Sequence, residues 1–276
     1  MTATALPETE RVVPLVDLAG VSKSFGDFQV LRGLDLRIFP GETLVIIGRS
    51  GTGKSVTIRH IVGLLTPDSG TVRVFDREYS ELSWWQRRKQ SLRMGYLFQS
   101  GALLNWMTVG ENVELPVLEH CRSMSAEERH DRVMEKLRLV EMENAVDKYP
   151  SEISGGIKKR AALARAIVLD PEIILYDEPT SGLDPVIANT INELINHTRK
   201  VLKATQVVVT HDMESAYMVG DRIAMLYEGR IIAEGSPNEI RNSDNAIVQQ
   251  FITGSTTGPM TKDICVHSFV GACTDT

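Results

Sequence analysis

Leu34, Leu36 and Ile38 alternate with polar or charged residues, the period of a strand with one buried face, and Pro40-Gly41 closes that run. A partner strand is predicted from about Val16 to Lys23. The pattern then changes to short runs that are apolar on both faces, in Leu44 to Ile47 and around Glu172 to Tyr176 and Gln206 to Thr210. Such runs predict central strands of a parallel sheet covered on both sides. After the first of them comes a Gly-rich stretch, and then Ile58, Ile61, Val62 and Leu65 at helical spacing, a strand–loop–helix unit. Ile223 to Tyr227 and Arg230 to Ala233 read as a hairpin turning at Glu228-Gly229.

Between about residues 100 and 160 the character shifts. Pro116, a polar stretch and the helical stripe Val133, Leu137, Val140 predict an inserted helical lobe. Residues 1–14, with Pro7 and Pro14, read as a loose arm. One domain is expected over residues 15–253, followed by a tail over 254–276 that loses periodicity. No internal repeat is visible.

Composition narrows the function classes. The chain has 276 residues, 42% hydrophobic and 24% charged, an ordinary globular balance with room for a sizeable core. A net charge of −6 gives no global basic field for nucleic acid. No apolar run reaches the length of a membrane-spanning helix, and the N-terminus lacks a basic start and an apolar core of a secretory signal. Work at a membrane therefore requires a partner. Cys121, Cys265 and Cys273 are an odd set that suits a reducing cytosol, and Cys265, His267 and Cys273 read as tail residues because no second ligand pair accompanies them.

The chemistry sits where the apolar strands end. Gly48-Arg49-Ser50-Gly51-Thr52-Gly53-Lys54-Ser55 fits the phosphate-binding loop pattern between a strand and a helix. Its glycines allow backbone N–H groups to converge on phosphate oxygens, and the helix start adds its positive end. Lys54 would bridge the outer phosphates and the Ser55 hydroxyl would sit on Mg²⁺. The strand ending Tyr176-Asp177-Glu178 places two acids at its carboxyl end. Asp177 would hold Mg²⁺ through a water, and Glu178 would deprotonate the attacking water. His211 follows another such strand, within reach of a γ-phosphate whose charge it would stabilise.

A phosphate loop occurs in many enzymes. Ser154-Gly155-Gly156, within Ile153 to Ile157 and about twenty residues before the acids, is more specific. With it the chain resembles the nucleotide-binding domains of ABC transporters, over roughly residues 15 to 240. Further matches fall in that family's order: Gln99 as the Q-loop, Ser181-Gly182-Leu183-Asp184 as the D-loop, His211 as the switch histidine and Phe25 as the aromatic that stacks on adenine. The resemblance implies a P-loop NTPase fold of the α/β class: a RecA-like core on a mainly parallel sheet, an antiparallel β subdomain and the helical lobe. It implies ATP and Mg²⁺ as cofactors. ATP contacts would come from Phe25, Gly48, Arg49, Ser50, Gly51, Thr52, Gly53, Lys54, Ser55, Val56, Gln99, Ser154, Gly155, Gly156 and Asp184. Ser55, Gln99 and Asp177 would serve the metal, with Glu178 and His211 catalytic. It also implies a head-to-tail dimer of two copies sandwiching ATP between one copy's phosphate loop and the other's Ser154-Gly155-Gly156. A separate integral-membrane permease would be gripped by the helical lobe, with the ATPase on the cytoplasmic face of the inner membrane.

Two positions depart from the family pattern. Ile157 stands where Gln is usual, followed by Lys158 and Lys159, and Val56 follows Ser55 where a hydroxyl is common. These departures, with His60 to Gly70, Leu97 to Leu104, Arg160 to Ala166 and Gly258-Pro259, resemble the ATPase of Mla/Mce-type lipid transporters. That narrower resemblance implies phospholipid cargo and an MCE-domain protein in the complex, with Gly258-Pro259 hinting at contact between the tail and the other copy. Alternatives are an ABC ATPase for another solute, a soluble ABC protein acting on DNA or ribosomes, and a P-loop kinase. The soluble class usually carries fused domains or long insertions, which this chain lacks, and the signature and switch histidine argue against a kinase. Trp84-Trp85-Gln86-Arg87-Arg88-Lys89 mixes aromatics with bases, and is read as one amphipathic helix with tryptophans packed inward or half-exposed, rather than as a nucleic-acid surface. Apolar residues from Leu103 to Met107 divide between core and a permease-facing surface.

Overall fold

Strands β3 (Thr43–Ile47), β7 (Ile173–Asp177) and β8 (Thr205–Thr210) are buried at every residue, as their apolar centres require. The computed structural model describes residues 13–261. In it these strands join β6 (Met94–Leu97), β9 (Arg222–Tyr227) and β10 (Arg230–Gly235) in a six-stranded sheet of order β10-β9-β3-β8-β7-β6. All neighbours are parallel except β9 and β10, which form the hairpin at Glu228-Gly229. Each fully buried Ile or Val in these strands contributes about 1.5–3 kcal/mol relative to exposure. Gln206 is the largest polar side chain buried inside β8. Its amide donates to the Tyr176 hydroxyl and the Ile195 carbonyl, both at 3.0 Å, and its carbonyl accepts from Thr43 Oγ1 at 3.2 Å, so its burial leaves it satisfied.

A second, antiparallel sheet has the order β2-β1-β4-β5, built from β1 (Val16–Phe25), β2 (Phe28–Ile38), β4 (Ser69–Val74) and β5 (Arg77–Glu78). β1 and β2 run longer than the apolar alternation indicates, because their ladder continues through register shifts to a Phe25–Phe28 pair around Gly26. The buried faces of both sheets enclose helix α1 (Lys54–Ile61) in one core of Leu, Ile and Val. α1 stops at Ile61, short of Leu65, because the chain turns at Gly63 with φ +80°, and the Leu64 and Leu65 N–H groups close back on Arg59.

The inserted lobe is helical: α3 (Val109–His120), α4 (Ala126–Leu139) and α5 (Gly155–Ile167). Val133, Leu137 and Val140 all face its core. Thr108 and Ser125 start α3 and α4 with capping boxes to Glu111 and Glu128, the local signal that fixes both starts. α5 reaches past residue 160, and its underside meets β6 so closely that a Cβ on Gly95 would lie 2.3 Å from the Ala166 carbonyl. Helices α6 (Pro185–Leu202), α7 (Met213–Val219), α8 (Pro237–Arg241) and α9 (Ala246–Thr253) complete the chain.

One expectation needs correction. The helix α2 (Trp84–Ser91) forms as read, but Trp84 and Trp85 are 61% and 73% exposed and stack edge-on against each other; Leu82 and Gln90 take the inward positions instead, Gln90 donating to the Val74 carbonyl. At the start of the tail Ser255 to Thr257 are exposed, whereas Met260 is buried, its N–H donates to Gln250 Oε1 at 2.7 Å, and Pro259–Thr261 form a short 3₁₀ turn. Cys265, His267 and Cys273 lie outside the described residues, as does most of the 1–14 arm.

Candidate phosphate-binding and catalytic site

Residues 48–53 link β3 to α1 in a turn that only glycine permits at both ends. Gly48 has φ +150° and a Cβ there would lie 2.3 Å from the Leu226 carbonyl oxygen. Gly53 has φ +105° with Leu31 Cδ2 at 2.8 Å from the same construction. Gly53 caps α1 without any side-chain bond, so the first-turn N–H groups, which have no intrahelical acceptor, remain available to an anion. Buried Lys54 folds back over the loop, donating to the carbonyls of Gly48 at 2.8 Å and Arg49 at 3.1 Å. Its Nζ lies 3.6 Å from Glu178 Oε1. Burial pulls the lysine below its ordinary pKa, and the Glu178 and Asp177 carboxylates oppose that shift.

Asp177 is the last residue of β7 and is buried. Oδ1 accepts from Ser55 Oγ at 2.7 Å, and Oδ2 accepts from the Tyr96 hydroxyl at 3.0 Å. Burial, reinforced by the Asp177 charge, raises the Tyr96 phenol well above its usual pKa and keeps it a donor. The Ser55 and Asp177 oxygens are hard donors side by side, which suits Mg²⁺. No group of three His, Cys, Asp or Glu side chains able to hold a metal occurs among the described residues, so a Mg²⁺ held by Ser55 and Asp177 would complete its shell with phosphate and water oxygens.

Glu178 follows in a left-handed conformation, φ +50°. A non-glycine residue held there costs on the order of 1–3 kcal/mol and persists only where surroundings over-determine it. Here they do. Its N–H donates to the Val209 carbonyl at 2.9 Å, and its carbonyl accepts from the Ser181 N–H and from Lys159 Nζ, both at 3.2 Å. The carboxylate is held between Lys54 and His211, whose Nδ1 lies 2.8 Å from Oε2. His211 is half exposed on its open side.

Lys54, Ser55, Asp177, Glu178 and His211 are thus drawn together by three adjacent strand ends, those of β3, β7 and β8. Arg49, Ser50 and Gly51 are exposed on the loop, Thr52 and Val56 are half-buried, and Arg49 donates to the Met260 carbonyl at 3.1 Å. Gln99 lies just past β6 with an exposed side chain, and its carbonyl accepts from Lys159. Phe25 is an exposed ring, 49%, at the tip of the β1–β2 hairpin, whose Val30 and Leu31 abut Gly53. Asp184 N-caps α6, accepting from the Val186 and Ile187 N–H groups at 3.1 Å.

Ser154-Gly155-Gly156 are not part of this cluster. Ser154 N-caps α5 without a side-chain bond, leaving a second helix start with free N–H groups. A Cβ on Gly156 would strike Ile187, and one on Gly155 would touch Leu183. These neighbours belong to α6 and the loop before it, not to the phosphate loop. Two participants escaped the sequence reading. Tyr96 was detectable only as a lone hydroxyl in an apolar strand, and Lys159 only as a basic residue at an unusual signature end.

The ABC transporter family model matches residues 31–181. The chain belongs to the ABC transporter ATP-binding family. Its members include the "Probable ribonucleotide transport ATP-binding protein mkl" of Mycobacterium leprae, 40% identical over 245 residues, covering 89% of this chain and 70% of that one. The "Intermembrane phospholipid transport system ATP-binding protein MlaF" of Escherichia coli is 37% identical over 255 residues, covering 91% and 93%. Among solved structures, a dimeric post-hydrolysis state of the ATP-binding cassette MJ0796 bound to ADP and Pi aligns with a TM-score of 0.74 at 35% identity, covering 80% of this chain and 98% of that one. This ABC protein is an ATPase, and its mixed sheet, antiparallel β subdomain and helical lobe are those of the ABC cassette.

Proposed function

We propose that this ABC ATPase works as a head-to-tail pair that energises a separate permease moving phospholipid across a bacterial envelope. An MCE-domain protein completes the complex, and the ATPase sits on the cytoplasmic face of the inner membrane. The observation that carries the lipid reading is the near end-to-end match to MlaF, 93% of that protein's length, whereas the match to mkl leaves part of mkl uncovered. The similarity to mkl supports a second reading, a ribonucleotide as cargo. No helix among the described residues is long and apolar enough to cross a membrane, which is in keeping with a separate permease.

In this reading the loop N–H groups and Lys54 hold the β- and γ-phosphates, Ser55 and Asp177 would hold a Mg²⁺ that would offset their charge, and Phe25 stacks on adenine. Glu178 accepts the proton of the attacking water. Its carboxylate already accepts from His211 when Nδ1 carries the proton, so His211 donates through Nε2 to a phosphate oxygen only as the imidazolium. Ser154 and the N–H groups of Gly155 and Gly156 contact the γ-phosphate bound to the other copy, so closure of the pair follows ATP binding by differential contact. Gln99 and Asp184 relay between the nucleotide and the two interfaces.

The test is a tagged Glu178→Gln protein recovered from detergent-solubilised membranes, with co-purifying proteins identified by mass spectrometry. A permease with an MCE-domain protein is the expected result. A permease with a different solute-binding partner would discard the lipid cargo, and ribosomes or DNA without a permease would discard transport.

A further inference from the structure

Lys159 lies on α5 about one and a half turns past Ser154 and is 7% exposed. A buried ammonium must spend its donors on protein acceptors. The other deeply buried lysine of the lobe, Lys136, does so on carboxylates, with Asp170 Oδ1 at 2.6 Å and Glu135 Oε1 at 2.7 Å. Lys159 instead bonds two backbone carbonyls: that of Gln99, just past β6, and that of Glu178, at 3.2 Å, just past β7. The Glu178 carbonyl belongs to the strained left-handed residue, whose direction decides where its carboxylate points. Lys159 Nζ is thus a side-chain pin between the helical lobe, the Gln99 loop and the Glu178 main chain.

We propose that Lys159 is a positioning residue of the ATPase reaction, fixing the Glu178 backbone against Gln99 and the signature helix so that the carboxylate meets the attacking water. The inference rests on Glu178 being the general base. Lys159 touches no reacting atom, so its loss shows in turnover and not in nucleotide affinity.

The experiment uses the full chain with Lys159→Met, Lys159→Arg, Glu178→Gln and the double variant Lys159→Met/Glu178→Gln. It measures ATP affinity by calorimetry, steady-state kcat and the thermal midpoint. Lys159→Met is expected to lose on the order of 10²-fold in kcat, the cost of misplacing a catalytic group by about 1 Å. ATP affinity should stay within about twofold, the split that marks a loss confined to the transition state. Lys159→Arg should recover most of the rate, and the double variant should be no slower than Glu178→Gln alone. Wild-type kcat in Lys159→Met, beside an inactive Glu178→Gln, overturns the role of Lys159 alone. Wild-type turnover in Glu178→Gln removes the base and overturns both. Loss of kcat and affinity together in both Met and Arg variants, with a collapsed thermal midpoint, also overturns it by making Lys159 a folding residue. If Lys159→Met does not fold, Lys159→Gln replaces it, and an unchanged kcat there overturns the proposal.

Discussion

His211 Nδ1 stands 2.8 Å from Glu178 Oε2, although the two residues are separated by 33 positions and rise from different strands. The pairing gives Glu178→Gln a specific consequence. The amide keeps the size of the side chain and a bond to His211 but cannot take a proton from water. Turnover should fall by on the order of 10²–10⁴, the usual worth of a general base, while ATP binding persists. Steady-state hydrolysis and calorimetry on the same preparation check both halves.

Lys54→Ala removes the side chain that ties the loop carbonyls to the Glu178 carboxylate. The cradle then loses the ammonium that the proposed mechanism sets on the phosphates. ATP binding should be lost in calorimetry; an unaltered dissociation constant would contradict the cradle.

Ser154→Arg places a bulky side chain at the exposed start of α5, away from the chain's own phosphate loop. Hydrolysis should stop while ATP binding by the single subunit stays intact. Mixed dimers, with one variant and one wild-type copy, should retain one working composite site. A variant dimer that hydrolyses at the wild-type rate would rule out the trans arrangement.

Gly95→Ala tests the packing of the lobe on the sheet. The added methyl would meet the Ala166 carbonyl at 2.3 Å and Pro171 at 3.2 Å, and the first of these is backbone that cannot swing aside. Destabilisation of about 1–3 kcal/mol is expected, the range for overpacking a filled core. Urea unfolding measures it.

Glu172 and Arg93 form a two-pronged ion pair, at 2.6 and 2.7 Å, that clips the N-terminal ends of β6 and β7 together. The guanidinium holds the Glu172 carboxyl below its ordinary pKa of 4.5. A carboxyl depressed in the folded state stabilises above its unfolded pKa, and that contribution is lost as pH falls through the lower folded value. Both side chains are largely solvated, so the effect is below about 1 kcal/mol. Glu172→Gln should therefore lower the urea midpoint slightly at about pH 7, and that difference should shrink as the pH is lowered through 4.5 toward the depressed folded value. A midpoint difference that stays constant across that range would remove the ion pair as its cause.

Legibility followed distance along the chain. The phosphate loop and the acid pair were readable because each is a contiguous run whose strand and helix lie beside it. Lys159 and Tyr96 were not, because their meaning comes from acceptors 60 and 81 positions away that only the parallel sheet brings near. The tryptophans of α2 show the opposite failure: large apolar residues suggested at least partial burial, yet smaller Leu82 and amide-bearing Gln90 fit the space beneath the helix and satisfy the Val74 carbonyl. Residues 255–261 showed no periodicity because a 3₁₀ turn clamped by one glutamine side chain has none to show.

Helix α5 begins at Ser154 and carries Lys159 on its second turn, with Ala166 seated on β6 near its end. In the head-to-tail pair proposed above, its first turn would face one ATP, and its second would hold the backbone of the residue that acts on the other. A single rigid rod would then report the occupancy of each site to the machinery of its twin.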